Sequence, residues 1–476
     1  MSDSKVYKWS FIDRVMIAIL NFGGNIALAR MLTDADFGLL AMIAIFVSIA
    51  SDLSSCGLSD GLIHKINPTA DDYSTVFVAN ASMGLLFGSM FFFGAPLMAG
   101  FFGHQELVGI MRVLGVCFFF QCMSYVQETY MRKRLRMKEI CFVRVGATAS
   151  ALALGITLAA LGFGYWALVC TQILLSVFFF IYYVIASRWF PKIRFNARSF
   201  KELFSYGVHL MLAYLGTIIG KNINTSVLGR AYSPAMSGVY YQGAKLANVP
   251  FGVSETSLNS PFFVVASNEP DPERRRRLII DMLPMIIGIN GLLLSLMLVI
   301  SAPSIELLYG QKWLAAIPVF RILALFEFMV CIKYFCQTIC KVYGRTTAVR
   351  NLAVMEIAVQ LGLLAIFFNR GILWIAWTQA AGAIVTVGFY LIISARLTRM
   401  SIAMIARAFA SALWLPALAG IIAAGAYAAA LTRWPSMHPV VACAIVAGTY
   451  AAVMLGVGET VRPRIYSAWR SRIIKK

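Results

Sequence analysis

Lys245 lies in an apolar stretch in which Gln242, Lys245, Asn248, Gly252, Glu255 and Asn259 return every three or four positions. That spacing stacks them on one face of a helix. Two hundred residues earlier Ser48, Asp52, Ser55 and Ser59 form a second stripe, with Ser48, Ser55 and Ser59 in register with Asn248, Glu255 and Asn259. Tyr214, Thr217, Lys221 and Asn224 make a third, and Arg14, Asn21 and Asn25 a fourth. Lipid satisfies none of these groups, and a charged side chain at mid-bilayer costs at least about 2.5 to 3.5 kcal/mol. The stripes therefore predict a water-filled cavity lined by the first, second, seventh and eighth long helices.

Cations in such a cavity suit a phosphate or diphosphate, whose oxygens accept several charge-assisted hydrogen bonds. The candidates are Arg30, Arg112, Lys221, Lys245, Arg321 and Lys333, with Asn21, Asn25, Ser48, Asn224, Gln242, Asn248 and Asn259 as neutral lining. Asp52, Glu255, Glu327 and Glu356 either pair with these cations or carry a coupling proton or sodium ion. Lys245 and Glu255 stand roughly 15 Å apart along one helix axis and are not direct partners. Two plainer roles compete. Asn21, Asn25, Ser48 and Ser55 can glue helices through hydrogen bonds of about 0.6 kcal/mol, and Arg30 and Arg230, at helix ends, can snorkel to the interface. The nine cysteines lie almost wholly in apolar segments without the paired spacing of a zinc site, so neither a metal centre nor a cofactor is expected.

Positioning these groups requires a membrane-embedded, all-α body. Of 476 residues 60% are hydrophobic and 13% charged, against roughly 25% charged in soluble domains. Apolar runs near 10–31, 36–58, 76–99, 106–130, 141–161 and 164–187 read as six helices. Six more lie near 204–228, 235–262, 281–303, 315–340, 351–369 and 371–395, and a last pair near 408–430 and 438–457. The soluble connections, including Arg274 to Arg277, read as short loops with no room for a catalytic domain, and no cleavable leader is expected before the first span.

Charge sets the expected orientation. The chain carries 41 Lys and Arg against 21 Asp and Glu, a formal charge of +20. About 29 of these cations fall in the even-numbered connections and the two tails, and about five in the odd-numbered ones. Both termini are thus expected in the cytoplasm. The excess then serves topology and contact with anionic lipid rather than nucleic acid.

Leu28, Ala29, Arg30, Thr33, Ala35 and Gly38 recur with identical spacing as Leu228, Gly229, Arg230, Ser233, Ala235 and Gly238. Gly164, Thr171 and Gln172 return as Gly371, Thr378 and Gln379, and Arg112-Val113-Leu114 resembles Arg321-Ile322-Leu323. Helices one to six therefore read as duplicated in seven to twelve. An even number of helices per copy relates the halves by an axis along the membrane normal, an arrangement suited to alternating access. The expected divisions are a lobe at 1–200, a second at 201–397, two added helices at 398–460 and a basic tail at 461–476.

Ala29-Arg30-Met31-Leu32, Asp36-Phe37-Gly38-Leu39 and Gly57-Leu58-Ser59-Asp60 resemble the polysaccharide-transport branch of the multidrug/oligosaccharidyl-lipid/polysaccharide exporter superfamily. So do Gly164-Tyr165-Trp166-Ala167-Leu168-Val169, Phe204-Ser205-Tyr206-Gly207 and Leu308-Tyr309-Gly310-Gln311-Lys312-Trp313. The resemblance implies a Wzx-type flippase for an undecaprenyl-diphosphate oligosaccharide in the bacterial inner membrane. Its lobes would form a V around a basic cavity, and a polysaccharide polymerase would be a partner. Gln242-Gly243-Ala244 departs from the family pattern, which has an asparagine and a basic residue before the alanine. The rival readings are a multidrug or cation antiporter of the same superfamily and, from another class, a membrane polymerase or ligase.

Overall fold

The structure, a computed structural model, describes residues 3–55, 58–65, 68–434 and 437–461. Among these there is no β-strand. The first seven helices are α1 (Asp3–Met31), α2 (Asp34–Ser55), α3 (Leu58–His64), α4 (Ala70–Phe102), α5 (Glu106–Lys133), α6 (Met137–Ala160) and α7 (Tyr165–Ser187). Then come α8 (Ala197–Ala231), α9 (Pro234–Asn268), α10 (Pro272–Tyr309), α11 (Ala316–Val342), α12 (Thr346–Phe367), α13 (Ile372–Thr398), α14 (Ile402–Arg433) and α15 (Pro439–Val461). Each of the fourteen expected segments coincides with one long helix. Among the described residues, ten helices are long and apolar enough to cross a membrane: α1, α2, α4 to α7, α10 and α12 to α14.

Several boundaries differ from expectation. Arg274 to Arg277 are not a loop but the start of α10, because Asp271 caps the helix by accepting from the Glu273 amide at 3.0 Å and Pro272 occupies its first position. Hydropathy alone missed these polar first turns. The short helix α3 was equally invisible, since seven residues carry too little periodicity to read. Lys133 Nζ stops it by donating to the carbonyls of Ile63 and Lys65, each at 2.6 Å.

The turns repeat as the sequence does. Left-handed backbone occurs at Gly103 and Gly310 (φ 78° and 92°), Gly164 and Gly371 (55° and 99°), Leu135 and Gly344 (55° and 70°), and Arg188 and Arg399 (50° and 53°). The members of each pair lie about two hundred residues apart and end or precede corresponding helices.

The helices gather into two compact units, Met1–Gly238 and Val239–Lys476. In the first, α4 lies along α5, α5 and α6 pack on α7, and α1 packs on α6. Gly88 and Gly115 bring α4 and α5 together so closely that a Cβ on Gly88 would stand 2.6 Å from the Gly115 carbonyl oxygen. Helix α8, which the repeat places at the start of the second half, packs on α2, α3 and α4 in this unit. Lys65 ties it down, with Nζ 3.2 Å from Asp72 Oδ1 and 3.1 Å from Glu202 Oε2. In the second unit α11 packs on α13, and α10 on α11, α14 and α15. Tyr450 joins α15 to α10 through the Ser295 hydroxyl at 2.5 Å and the Leu292 carbonyl at 3.1 Å.

Candidate functional site

In the second unit the polar stripe of α9 meets α11. Asn248 Nδ2 donates to Glu327 Oε1 at 3.1 Å, and Cys331, one turn further along α11, reaches the Phe251 carbonyl at 3.7 Å. Glu327, Cys331 and Tyr334 share a face of α11 by their spacing of four and three. The carboxylates of Glu255, Glu327 and Glu356 all lie within electrostatic reach of Tyr334.

Lys333, a buried residue, bridges α11 to α12 through Glu356, with Nζ 2.7 Å from Oε1 and side chains only 10% and 19% exposed. Its ammonium also stands 5.2 Å from the Tyr334 ring centroid. Lys245 is half-buried, its ammonium 5.6 Å from the ring centroid of Tyr241. Two ammonium groups and three carboxylates are thus held on α9, α11 and α12 of one unit. Beyond the Lys333–Glu356 pair the set holds one further ammonium and two further carboxylates, groups whose chemistry suits contact with an oxyanion on the one hand and a proton or small cation on the other.

Other expected residues have other surroundings. Arg321 is exposed and donates from Nε to Ser301 Oγ at 2.8 Å. Arg112 is exposed, with its guanidinium 5.1 Å from the Phe92 ring centroid. Arg30 and Asn21 are exposed, Ser48 and Asn259 half-buried, and Asn25, Asn224 and Gln242 buried. The side-chain amide oxygen Oδ1 of Asn259 is buried with no hydrogen-bond partner among the described residues. The side chains of Asp52, Ser55 and Lys221 lie outside the described residues.

A second polar network, not anticipated from the sequence, occupies the first unit. Asp13 of α1, buried, pairs through Oδ2 with Arg144 Nη1 of α6 at 2.7 Å. Glu128 pairs with Arg132 one turn along α5 at 2.5 Å. The hydroxyl of Tyr183 on α7, a residue 1% exposed, lies within electrostatic reach of these four groups and has no hydrogen-bond partner among the described residues. The signal was present, since Asp13, Glu128 and Arg144 are charged residues in or beside apolar runs. No polar stripe marks them on their own helices, and only packing brings Asp13 of α1 to Arg144 of α6.

A family model described as polysaccharide biosynthesis protein matches residues 27–318. The chain belongs to this family. Teichuronic acid biosynthesis protein TuaB of Bacillus subtilis (strain 168) is 24% identical over 332 residues, covering 67% of this chain and 66% of that protein. Lipopolysaccharide biosynthesis protein WzxC of Escherichia coli (strain K12) is 24% identical over 325 residues, covering 66% and 65%. The match spans just under two thirds of the length of both relatives. In fold this polysaccharide biosynthesis family member is similar to the lipid II flippase MurJ in an inward closed conformation. The TM-score is 0.71 at 14% identity, over 97% of this chain and 100% of the other.

Proposed function

We propose that this family member is a flippase carrying an undecaprenyl-diphosphate-linked oligosaccharide across the bacterial inner membrane by alternating access, for assembly of O-antigen, capsule or exopolysaccharide. One observation carries the reading. A chain whose sequence family is polysaccharide biosynthesis has, over 97% of its length, the fold of a protein named as a lipid II flippase. The recurring left-handed turns support two related sets of six helices, with α14 and α15 as an added pair. Loop charge supports fourteen spans and cytoplasmic termini.

In this reading Lys221, Lys245, Arg112, Arg321 and Arg30 attract the diphosphate, and the polyprenyl tail stays in lipid. Lys333 is already engaged by Glu356 and holds α11 against α12. Glu255, Glu327 and Asp52 are the candidates for binding a coupling proton or sodium ion. The protein transports and performs no bond chemistry; a polysaccharide polymerase receives the flipped lipid. The acid-rich surroundings of Tyr334 favour one alternative, an exporter of organic cations.

Deletion of the gene, followed by analysis of lipid-linked intermediates, tests the proposal. Accumulation of the oligosaccharide lipid on the cytoplasmic face is the expected result. An unchanged lipid pool with new drug sensitivity would transfer the assignment to the cation exporter.

A further inference from the structure

The duplicated segment does something at its two copies that periodicity does not show. Thr33 caps α2, with Oγ1 accepting from the Asp36 amide at 3.2 Å while Asp36 Oδ2 accepts from the Thr33 amide at 2.9 Å. Ser233, its counterpart, caps α9 by accepting from the Met236 amide at 3.2 Å. Five residues after each cap comes a glycine, and these two glycines lock the helix starts together inside the first unit. A Cβ on Gly38 would stand 1.7 Å from the Pro234 carbonyl oxygen, and a Cβ on Gly238 would stand 1.9 Å from the Asp34 carbonyl oxygen. Each glycine therefore lies against the backbone of the other helix's first turn, and the contact is reciprocal. Backbone cannot swing aside as a side chain tip can, so any other residue at either position forces the helix starts apart.

Beneath this contact the seal continues. Met42, fully buried one turn along α2, fills the place of a missing side chain at Gly229, where a Cβ would stand 2.0 Å from its Cγ. Leu28, Ala29 and Leu228, in the helix ends that lead into the two caps, are buried as well. Counted over the fourteen expected spans, the connections from α1 to α2 and from α8 to α9 are both odd-numbered, and the last turns that lead into them carry the single cations Arg30 and Arg230, so loop charge assigns this end to the extracytoplasmic side.

We propose that the reciprocal Gly38–Gly238 contact is the closed extracytoplasmic gate of the transporter, sealed beneath by Met42 on Gly229, and that it parts when cargo leaves. The proposal rests on the alternating-access reading, but its test needs no substrate. A thiol is introduced by Met42→Cys into full-length protein in intact cells, with Gly38→Ala, with Gly238→Ala, and with Gly23→Ala as control. A Cβ on Gly23 would meet nothing within 4 Å. A membrane-impermeant maleimide is added from outside, and labelling is read against the Met42 parent.

With both glycines intact the introduced thiol is protected. Gly38→Ala and Gly238→Ala each raise its labelling rate by about tenfold or more, by shifting the population toward the open state, whereas Gly23→Ala does not. Equal labelling in all variants that reach the membrane overturns the proposal. So does labelling that occurs only from the cytoplasmic face of inverted vesicles. If labelling behaves as expected while gene deletion leaves the lipid-linked pool unchanged, the gate stands and the cargo assignment falls.

Discussion

Lys333 on α11 and Glu356 on α12 form an ion pair at 2.7 Å with both side chains largely shielded. The pair gives two cations of one unit different surroundings. Lys333 is neutralised inside the protein and fastens two helices, while Lys245 stands half-buried over the Tyr241 ring on the polar face of α9.

Removing either member of the α11–α12 pair leaves a shielded charge without its counterion, which costs about 3 to 5 kcal/mol. Lys333→Met and Glu356→Leu should each lower the apparent melting temperature of the purified protein in detergent, and the double variant should recover most of the loss. A double variant no better than the worse single would mean that the pair is held open to solvent.

Lys245→Ala and Lys221→Ala should each reduce polysaccharide export by roughly tenfold or more, since a hydrogen bond to a charged group is worth about 1.5 to 3 kcal/mol. The amount of protein in the membrane should not change. Unaltered export in both singles and the double removes these lysines from the transport path.

The Asp13–Arg144 pair offers a comparison in the first unit. Asp13→Asn and Arg144→Met should each destabilise by about 3 kcal/mol, and a double-mutant cycle should return a coupling of about 1 kcal/mol or more. Strict additivity would show that the two charges are independently solvated.

Alkaline pH tests the Lys65 latch. Burial opposes the charge on Lys65, but hydrogen bonds to Glu202 and Asp72 outweigh it and hold the ammonium above its ordinary value of 10.5. A value raised on folding gives stabilisation that is complete below 10.5 and lost as pH rises through the folded value. Lys65→Met should therefore melt below the wild type at pH 8, and the gap should close above the folded value. A gap that persists there would assign the effect of Lys65 to packing alone.

Much of this was legible in the chain itself because the bilayer allows so few solutions. Backbone polar groups have no water to bind in hydrocarbon, so apolar runs of about 20 residues must be helices, and each of the fourteen runs is one. Polar first turns were not legible. Arg274 to Arg277 contribute nothing to a hydrophobic run, yet Asp271 and Pro272 start a helix there. The duplicated Thr33 and Ser233 were visible as a repeat, but not as paired caps.

What the sequence by itself determined is the list of long helices, the polar stripes and the repeat, all consequences of local periodicity and of solvent exclusion. Tertiary structure alone decided the pairings. Glu356 rather than any other acid neutralises Lys333, Asp13 meets Arg144 across 131 positions, and Gly38 touches the first turn of α9. Each depends on how helices distant in sequence cross, and side chains a few ångströms apart in space leave no mark of that on a linear pattern. The basic character of the chain divides accordingly: many of its cations lie in connections and in the end turns of helices, where they carry the expectation of orientation, and only the fold shows which of those deeper in the helices are already neutralised.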